Sequence, residues 1–312
     1  MNSSVPHTSK PDSHALPSHH PRTALVLHGG GSAGNAWEIG VIAGLFDGGL
    51  DVTGADLIVG TSAGATVAAQ ISSAPTRELL DAILAPAPER QPGTIVADRS
   101  RVPVGPGVDH LERTGGIIAA SADASDMRRR MGAAALELDA ASDGSTSARW
   151  RATVAARLPS PSWPERDVRI TAVDARTGEP VVFDRHSGVD LVDAVAASTS
   201  SGLPYAIGDD RYLDGGYRRN ENADLASGYD RVLVLSPFGG RSRHPLEWGM
   251  QLAAQVDELR AGGSTVETIF PDSGALLAFG QTMMDFSTRP PAARAGYSQG
   301  KGLAAQLIDF WL

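Results

Sequence analysis

The sequence predicts an α/β fold with a mostly parallel central sheet covered on both faces, and three observations carry that prediction. Two short apolar runs in the first third, Thr23 to His28 and Leu57 to Val59, each lead straight into a glycine-rich turn and then a helical stretch. Neither run alternates with polar residues, which is the pattern of strands buried on both faces. Late in the chain, Arg231 to Leu235 and Val266 to Phe270 flank a helical stretch, again in the order strand, helix, strand.

Taken in order, residues 1–22 are rich in Ser, Pro and His and contain no apolar run that could form a signal-peptide core or a membrane span. They read as a disordered tail, and the protein is expected to be cytoplasmic. His7, His14, His19 and His20 lack a fixed ligand spacing, so no metal is expected there. The domain is expected over 23–305. From Asn35 to Phe46 a helix is predicted in which Trp37, Val41 and Leu45 recur every four positions and set one stripe against a sheet, and Gly48-Gly49 ends it. After Leu57 to Val59 a small-residue helix should reach about Ile71. From about 75 to 165 the character changes: prolines recur between Pro75 and Pro106, followed by helical stretches from Ser125 to Ala141 and Ser147 to Leu158. This reads as a cap or insertion. Val168 to Asp174 and Pro180 to Phe183 form a hairpin about the turn Arg176-Thr177-Gly178-Glu179. Further strands are expected at Arg211 to Leu213, Arg231 to Leu235 and Val266 to Phe270, with a helix from Pro245 to Ala261. The last residues, 306–312, read as the end of a C-terminal helix. Leu307, Ile308, Phe310 and Trp311 are expected to dock onto the protein's own sheet, with contact to a membrane or a second subunit as the other use of that apolar run. No internal repeat is present.

A chain of 312 residues with 42% hydrophobic residues can bury one large core. The net charge of −9, with Lys10 and Lys301 as the only lysines and the arginines scattered, argues against a nucleic-acid partner, because phosphate backbones are held by clustered cations. The absence of cysteine removes thiol catalysis, disulfides, zinc–cysteine sites and iron–sulfur clusters.

Two pentapeptides fit Gly-x-Ser-x-Gly, the turn that exposes a nucleophilic serine between a strand and a helix: Gly60-Thr61-Ser62-Ala63-Gly64 and Gly30-Gly31-Ser32-Ala33-Gly34. Context favours Ser62. The apolar strand runs into it without a break, Gly60 and Gly64 form its elbow, and small residues let the following helix pack close. Ser32 lies instead within a glycine loop, Gly29 to Gly34, that opens a helix whose free N–H groups converge, as an anion site requires. That loop is assigned as an oxyanion hole. Its other reading, a dinucleotide-binding turn, calls for an acidic residue at the end of the next strand, where this chain has Val59-Gly60. No Gly-Lys-Ser/Thr follows, which excludes a P-loop, and no cofactor is expected.

For the base, Asp214 in Tyr212-Leu213-Asp214-Gly215-Gly216 leaves a strand into two glycines and is free of side-chain crowding. An aspartate serves as a base for a serine hydroxyl only when partly desolvated and in direct hydrogen-bond contact. A histidine triad through His244 is the competing arrangement, but His244 precedes Pro245 at a helix start, a place for a capping or surface residue.

With the glycine loop, Gly-Thr-Ser-Ala-Gly and Asp-Gly-Gly in this order, the chain resembles the patatin-like phospholipase family, and its bacterial members most closely. The resemblance extends from about Thr23 to Lys301 through Ala33 to Gly40, Ser187-Gly188, Ala194 to Ser198 and Pro271-Asp272. It implies a three-layer α/β/α sandwich, a Ser62–Asp214 dyad without histidine, and an oxyanion hole at Gly29, Gly30, Gly31 and Gly34. It further implies a lipid or other acyl-ester substrate, transient contact with a membrane, and no metal or cofactor. Two features depart from the family pattern. Where many relatives carry Arg or Lys in the glycine loop, this chain has Ser32 and Ala33, so a phosphate-bearing substrate has one anchor fewer. Ser201 to Ile207 also reaches Asp214 by a shorter path than the expected proline-rich segment. A lipid-binding or scaffolding protein that keeps such a fold without turnover is the alternative of another class.

Overall fold

The computed structural model describes residues 20–86 and 107–312. Residues 1–19, with His7, His14 and His19, and the proline-rich 87–106 lie outside the described residues. The first third contains β1 (Thr23–Leu27), α1 (Gly31–Asp47), β2 (Leu57–Gly60), α2 (Ala63–Ile71) and α3 (Thr76–Leu84). The middle contains α4 (Gly107–Ala120), α5 (Ala124–Ala140), α6 (Thr146–Ala155), β3 (Asp167–Asp174), β4 (Pro180–Phe183), α7 (Leu191–Ser198), β5 (Tyr205–Ile207) and β6 (Asp210–Asp214). The last third contains β7 (Arg231–Leu235), α8 (Leu252–Ala261), β8 (Thr265–Ile269), α9 (Ser273–Phe279) and α10 (Arg289–Trp311).

The strands form one mixed sheet in the order β5-β6-β3-β2-β1-β7-β8, with β4 paired to β3 beside this path. The pairs β1–β2, β1–β7, β2–β3 and β7–β8 are parallel, while β4 and β6 run antiparallel to β3. Alternate side chains of one strand enter two cores. Leu25 and Leu27 join the layer of α1, α2, α7 and α10, and Ala24 and Val26 join the layer of α8. A third cluster packs Met127 and Met131 of α5 on Val173 of β3 and Leu213 of β6. The fold is thus a three-layer α/β/α sandwich. Within 75–165, α3 packs on α1 and α6 on α7, while α4 and α5 pack together over the third cluster.

Three expectations are corrected. First, α1 is not amphipathic: every residue from Ala33 to Leu45 is buried, because α10 covers the face that turns away from the sheet. Second, the C-terminal segment docks on α1 rather than on the sheet, with Leu307 and Trp311 buried. Glycines on both helices cause this. A Cβ on Gly40 or Gly44 would lie 2.2 Å from the carbonyl oxygens of Ala293 and Tyr297, and one on Gly296 or Gly300 would lie 2.3 and 2.2 Å from those of Trp37 and Val41. The two backbones therefore touch with no side chain between them. Third, no continuous helix runs from Pro245 to Ala261. A 3-10 turn at Leu246–Trp248 is closed by Gly249 at φ 63°, and α8 begins only at Leu252.

β1 sits between β2 and β7, which lie on its opposite edges. At such a point the connections leaving neighbouring strands diverge to opposite sides and open a crevice at the carboxyl ends of the strands. The glycine loop after β1 and the turn after β2 both lie there.

Candidate active site

Ser62, the residue directly before α2 and two after the end of β2, has φ 53° and ψ −120°, a left-handed backbone that a non-glycine residue holds at a cost of about 1–3 kcal/mol. The two elbow glycines make the turn sterically allowed. A Cβ on Gly64 would stand 2.2 Å from the Leu27 carbonyl oxygen, and one on Gly60 would stand 2.7 Å from Ala65 Cα, so α2 can press against the end of β1 only without them. The Ser62 N–H donates to Ser198 Oγ at 2.9 Å, which ties the turn to the end of α7.

Ser62 Oγ donates to Asp214 Oδ2 at 2.7 Å across 152 positions of sequence. Asp214 ends β6, opposite Ala172 of β3. Its Oδ1 accepts the N–H of Gly216 at 2.8 Å, and its own N–H donates to the Ser200 carbonyl at 2.8 Å. Burial pushes its carboxyl up to about 6, while the bonds from Gly216 and Ser62 hold it down. The group is therefore still ionised at neutral pH, yet a stronger base than an exposed aspartate.

The glycine loop passes directly against the serine. A Cβ on Gly29 would lie 3.0 Å from Ser62 Cβ and 3.4 Å from its Oγ. Gly30 is pressed on Pro237, and Gly31, at φ 59°, lies between the Met283 carbonyl and the Met284 sulfur. The N–H of Gly34 donates to the Gly30 carbonyl at 2.8 Å, which leaves Gly34 a packing position against Pro237 within the first turn of α1. Among the described residues, no acceptor takes the N–H of Gly29, Gly30 or Gly31. Ser32 Oγ is buried without a partner, and its carbonyl accepts from Arg289 at 3.2 Å.

His244 bonds Ser242 Oγ and Asn220 Oδ1 through Nδ1, stacks on Trp248, and makes no hydrogen bond to Ser62 or Asp214. Burial lowers its pKa to about 4. Among the described residues, no group of three acidic or histidine side chains could hold a metal, and no helix is long and apolar enough to cross a membrane.

Sequence reasoning missed the buried clamp beneath the pair. Asn222, at φ 57°, donates from Nδ2 to Thr61 Oγ1 at 2.9 Å, Thr171 Oγ1 at 3.2 Å and the Gly215 carbonyl at 3.1 Å. Thr61 precedes Ser62 and Gly215 follows Asp214, so one amide spans both turns. Ser198 is a second omission. Ser198 closes the stretch Ala194 to Ser198 that carries part of the family resemblance, but nothing in that stretch marks its hydroxyl as a partner of Ser62, and only the short distance of Asn222 from Asp214 in sequence pointed toward Asn222.

A family model described as Patatin-like phospholipase matches residues 25–227. Among solved structures, VipD from Legionella pneumophila is similar over 92% of this chain and 67% of its own, at 12% identity and a TM-score of 0.41. The type III effector protein ExoU is similar over 91% of this chain at 18% identity and a TM-score of 0.38, and this chain spans only 53% of its length. No curated protein sequence matches.

Proposed function

The chain belongs to the patatin-like phospholipase family, and on that footing we propose that it is a lipid acyl hydrolase that cleaves carboxylic esters with a Ser62–Asp214 dyad. The observation that carries this reading is the 2.7 Å hydrogen bond between Ser62 Oγ and a buried carboxylate, set beneath a loop of unused backbone N–H groups. Ser62 Oγ attacks the ester carbonyl and its proton passes to Asp214 Oδ2. The negative charge that develops on the carbonyl oxygen is met by the N–H groups of Gly29, Gly30 and Gly31, each such donor contributing about 3 kcal/mol in an enclosed site. The ester C–O bond then breaks, the leaving alcohol takes the proton from Asp214, and the acyl group stays on Ser62. A water molecule, deprotonated by Asp214, attacks the acyl carbonyl and releases the acid. No residue of this scheme calls for a metal or cofactor. The hydrolase domain is assigned to 23–305.

Ser62→Ala and Asp214→Asn should each reduce hydrolysis of a p-nitrophenyl acyl ester by at least about a thousandfold, and a fluorophosphonate probe should label wild type at Ser62. Wild-type turnover in Ser62→Ala, or labelling at Ser32, would refute the assignment. Absence of both labelling and turnover in the wild-type protein would favour a binding protein of the same fold.

A further inference from the structure

Three consecutive residues after the dyad aspartate, Asn220, Glu221 and Asn222, are buried and send their polar side chains to three different walls of the site. Asn220 donates from Nδ2 to the Arg241 carbonyl at 3.1 Å and meets His244 Nδ1 through Oδ1 at 3.2 Å. Asn222 spans the serine elbow and the turn after Asp214. Between them, Glu221 Oε1 accepts the hydroxyl of Ser236 at 2.9 Å, and Ser236 Oγ in turn accepts the N–H of Gly240 at 3.0 Å. Glu221 and Ser236 are both fully enclosed.

Ser236 directly follows β7, and its neighbours on both sides support the glycine loop. Before it, the Leu235 carbonyl accepts the N–H of His28 at 3.2 Å. After it, Pro237 Cβ lies 2.7 Å from where a Cβ on Gly30 would stand and 3.1 Å from one on Gly34, and the Phe238 ring meets His28 edge-on with centroids 5.7 Å apart. The seat of Gly29 to Gly34 is therefore set by where Ser236 and Pro237 sit. A carboxyl at position 221 is destabilising as packing, because its Oε2 is buried with no partner among the described residues, and an apolar side chain of similar volume would avoid that cost. An apolar side chain fixes no direction, however. A hydroxyl that donates to Glu221 while it accepts from Gly240 has one orientation, and it locks the turn that carries Pro237.

We propose that Glu221 is a positioning residue for the oxyanion loop, coupling the glycine amides through Ser236 and Pro237 to the clamp that holds Ser62 and Asp214. This rests on the hydrolase reading above and adds a residue to it. The test compares the full chain with Glu221→Gln, Glu221→Met and Ser236→Ala on a p-nitrophenyl acyl ester. Glu221→Met and Ser236→Ala should each lower kcat at least about tenfold with KM unchanged, since a misplaced oxyanion donor weakens binding of the transition state and not of the substrate. Glu221→Gln, whose Oε1 still accepts from Ser236, should stay within about threefold of wild type. The double variant Glu221→Met/Ser236→Ala should be no slower than either single one, because both remove the same link. Wild-type kcat in Glu221→Met, or a Glu221→Gln protein as slow as Glu221→Met, overturns the coupling. Amide hydrogen exchange of residues 29–34 separates this inference from the hydrolase reading. Exchange there should quicken about tenfold in Glu221→Met and stay at the wild-type rate in Glu221→Gln. That result upholds the coupling even where the wild-type protein shows no turnover, and the hydrolase reading alone then fails. Exchange at the wild-type rate in Glu221→Met overturns the coupling even where the wild-type protein is active. Should Glu221→Met fail to fold, Ser236→Ala carries both measurements with the same expected outcomes.

Discussion

At the scale of single residues, the chemistry turns on whether a carboxylate can accept a serine proton without an imidazole. Water keeps an exposed aspartate too acidic for this, and the enclosure of Asp214 removes that water while Gly216 and Ser62 keep the group ionisable. Because the base must be ionised, kcat/KM should rise with pH through about 6 and level off above it, reporting the free enzyme. A profile already flat at pH 5, measured on an uncharged ester to leave substrate titration out, would show that Asp214 is not the base. His244 enters no part of this profile, since its ring nitrogen is engaged with Ser242 and Asn220. Ser62 and Asp214 were legible as candidates because each sits at a strand end flanked by glycine, a local signal. Asn222 was not, because its three acceptors come from β3 and from the turns after β2 and β6, and no local pattern encodes that meeting.

At the scale of elements, α1 is held on two sides, by the sheet and by α10, and its glycine loop is therefore positioned by the C-terminal helix as well as by β1. Close backbone approach makes particular glycines indispensable and leaves others free. Gly296→Ala would drive a Cβ to 2.3 Å from the Trp37 carbonyl oxygen and should cost about 1–3 kcal/mol or more through helix displacement. Gly302, on the same helix with nothing within 4 Å of its Cβ position, should gain up to about 1 kcal/mol as alanine from helix propensity alone. Urea unfolding of the two variants checks the contrast, and equal midpoints would show that the α1–α10 contact is not tight. The Gly296→Ala variant should also lose esterase activity, since α1 begins at the oxyanion loop. The strands and most helices were legible from hydrophobic pattern, but this pairing was not: the glycines of α1 and α10 lie some 250 positions apart, and each helix alone reads merely as rich in small residues.

For the whole molecule, three buried acids couple stability to pH. Burial raises Glu38 well above the ordinary carboxylate range, Asp214 to about 6 and Glu221 to about 7. Each holds a proton in the folded state at pH values where the unfolded chain has released it. Their contribution to stability is therefore fully present below the ordinary carboxylate pKa and is lost as pH rises through the folded value. Both Glu38 oxygens are buried without a side-chain partner, and burial raises the carboxyl well above its ordinary range, so Glu38→Gln, which cannot ionise, should flatten the decline in melting temperature as pH rises above the ordinary carboxylate pKa. Parallel melting curves for the variant and wild type would exclude Glu38 as a contributor. The sequence by itself determined the fold class, the family and the order of loop, elbow and aspartate, because strand burial and glycine turns are written in residues adjacent along the chain. Tertiary structure alone decided that the Gly34 amide is spent inside α1, that the C-terminal helix rests on another helix instead of the sheet, and how basic Asp214 becomes. These depend on backbone approach and exclusion of water between segments remote in sequence, and neither leaves a trace in local pattern.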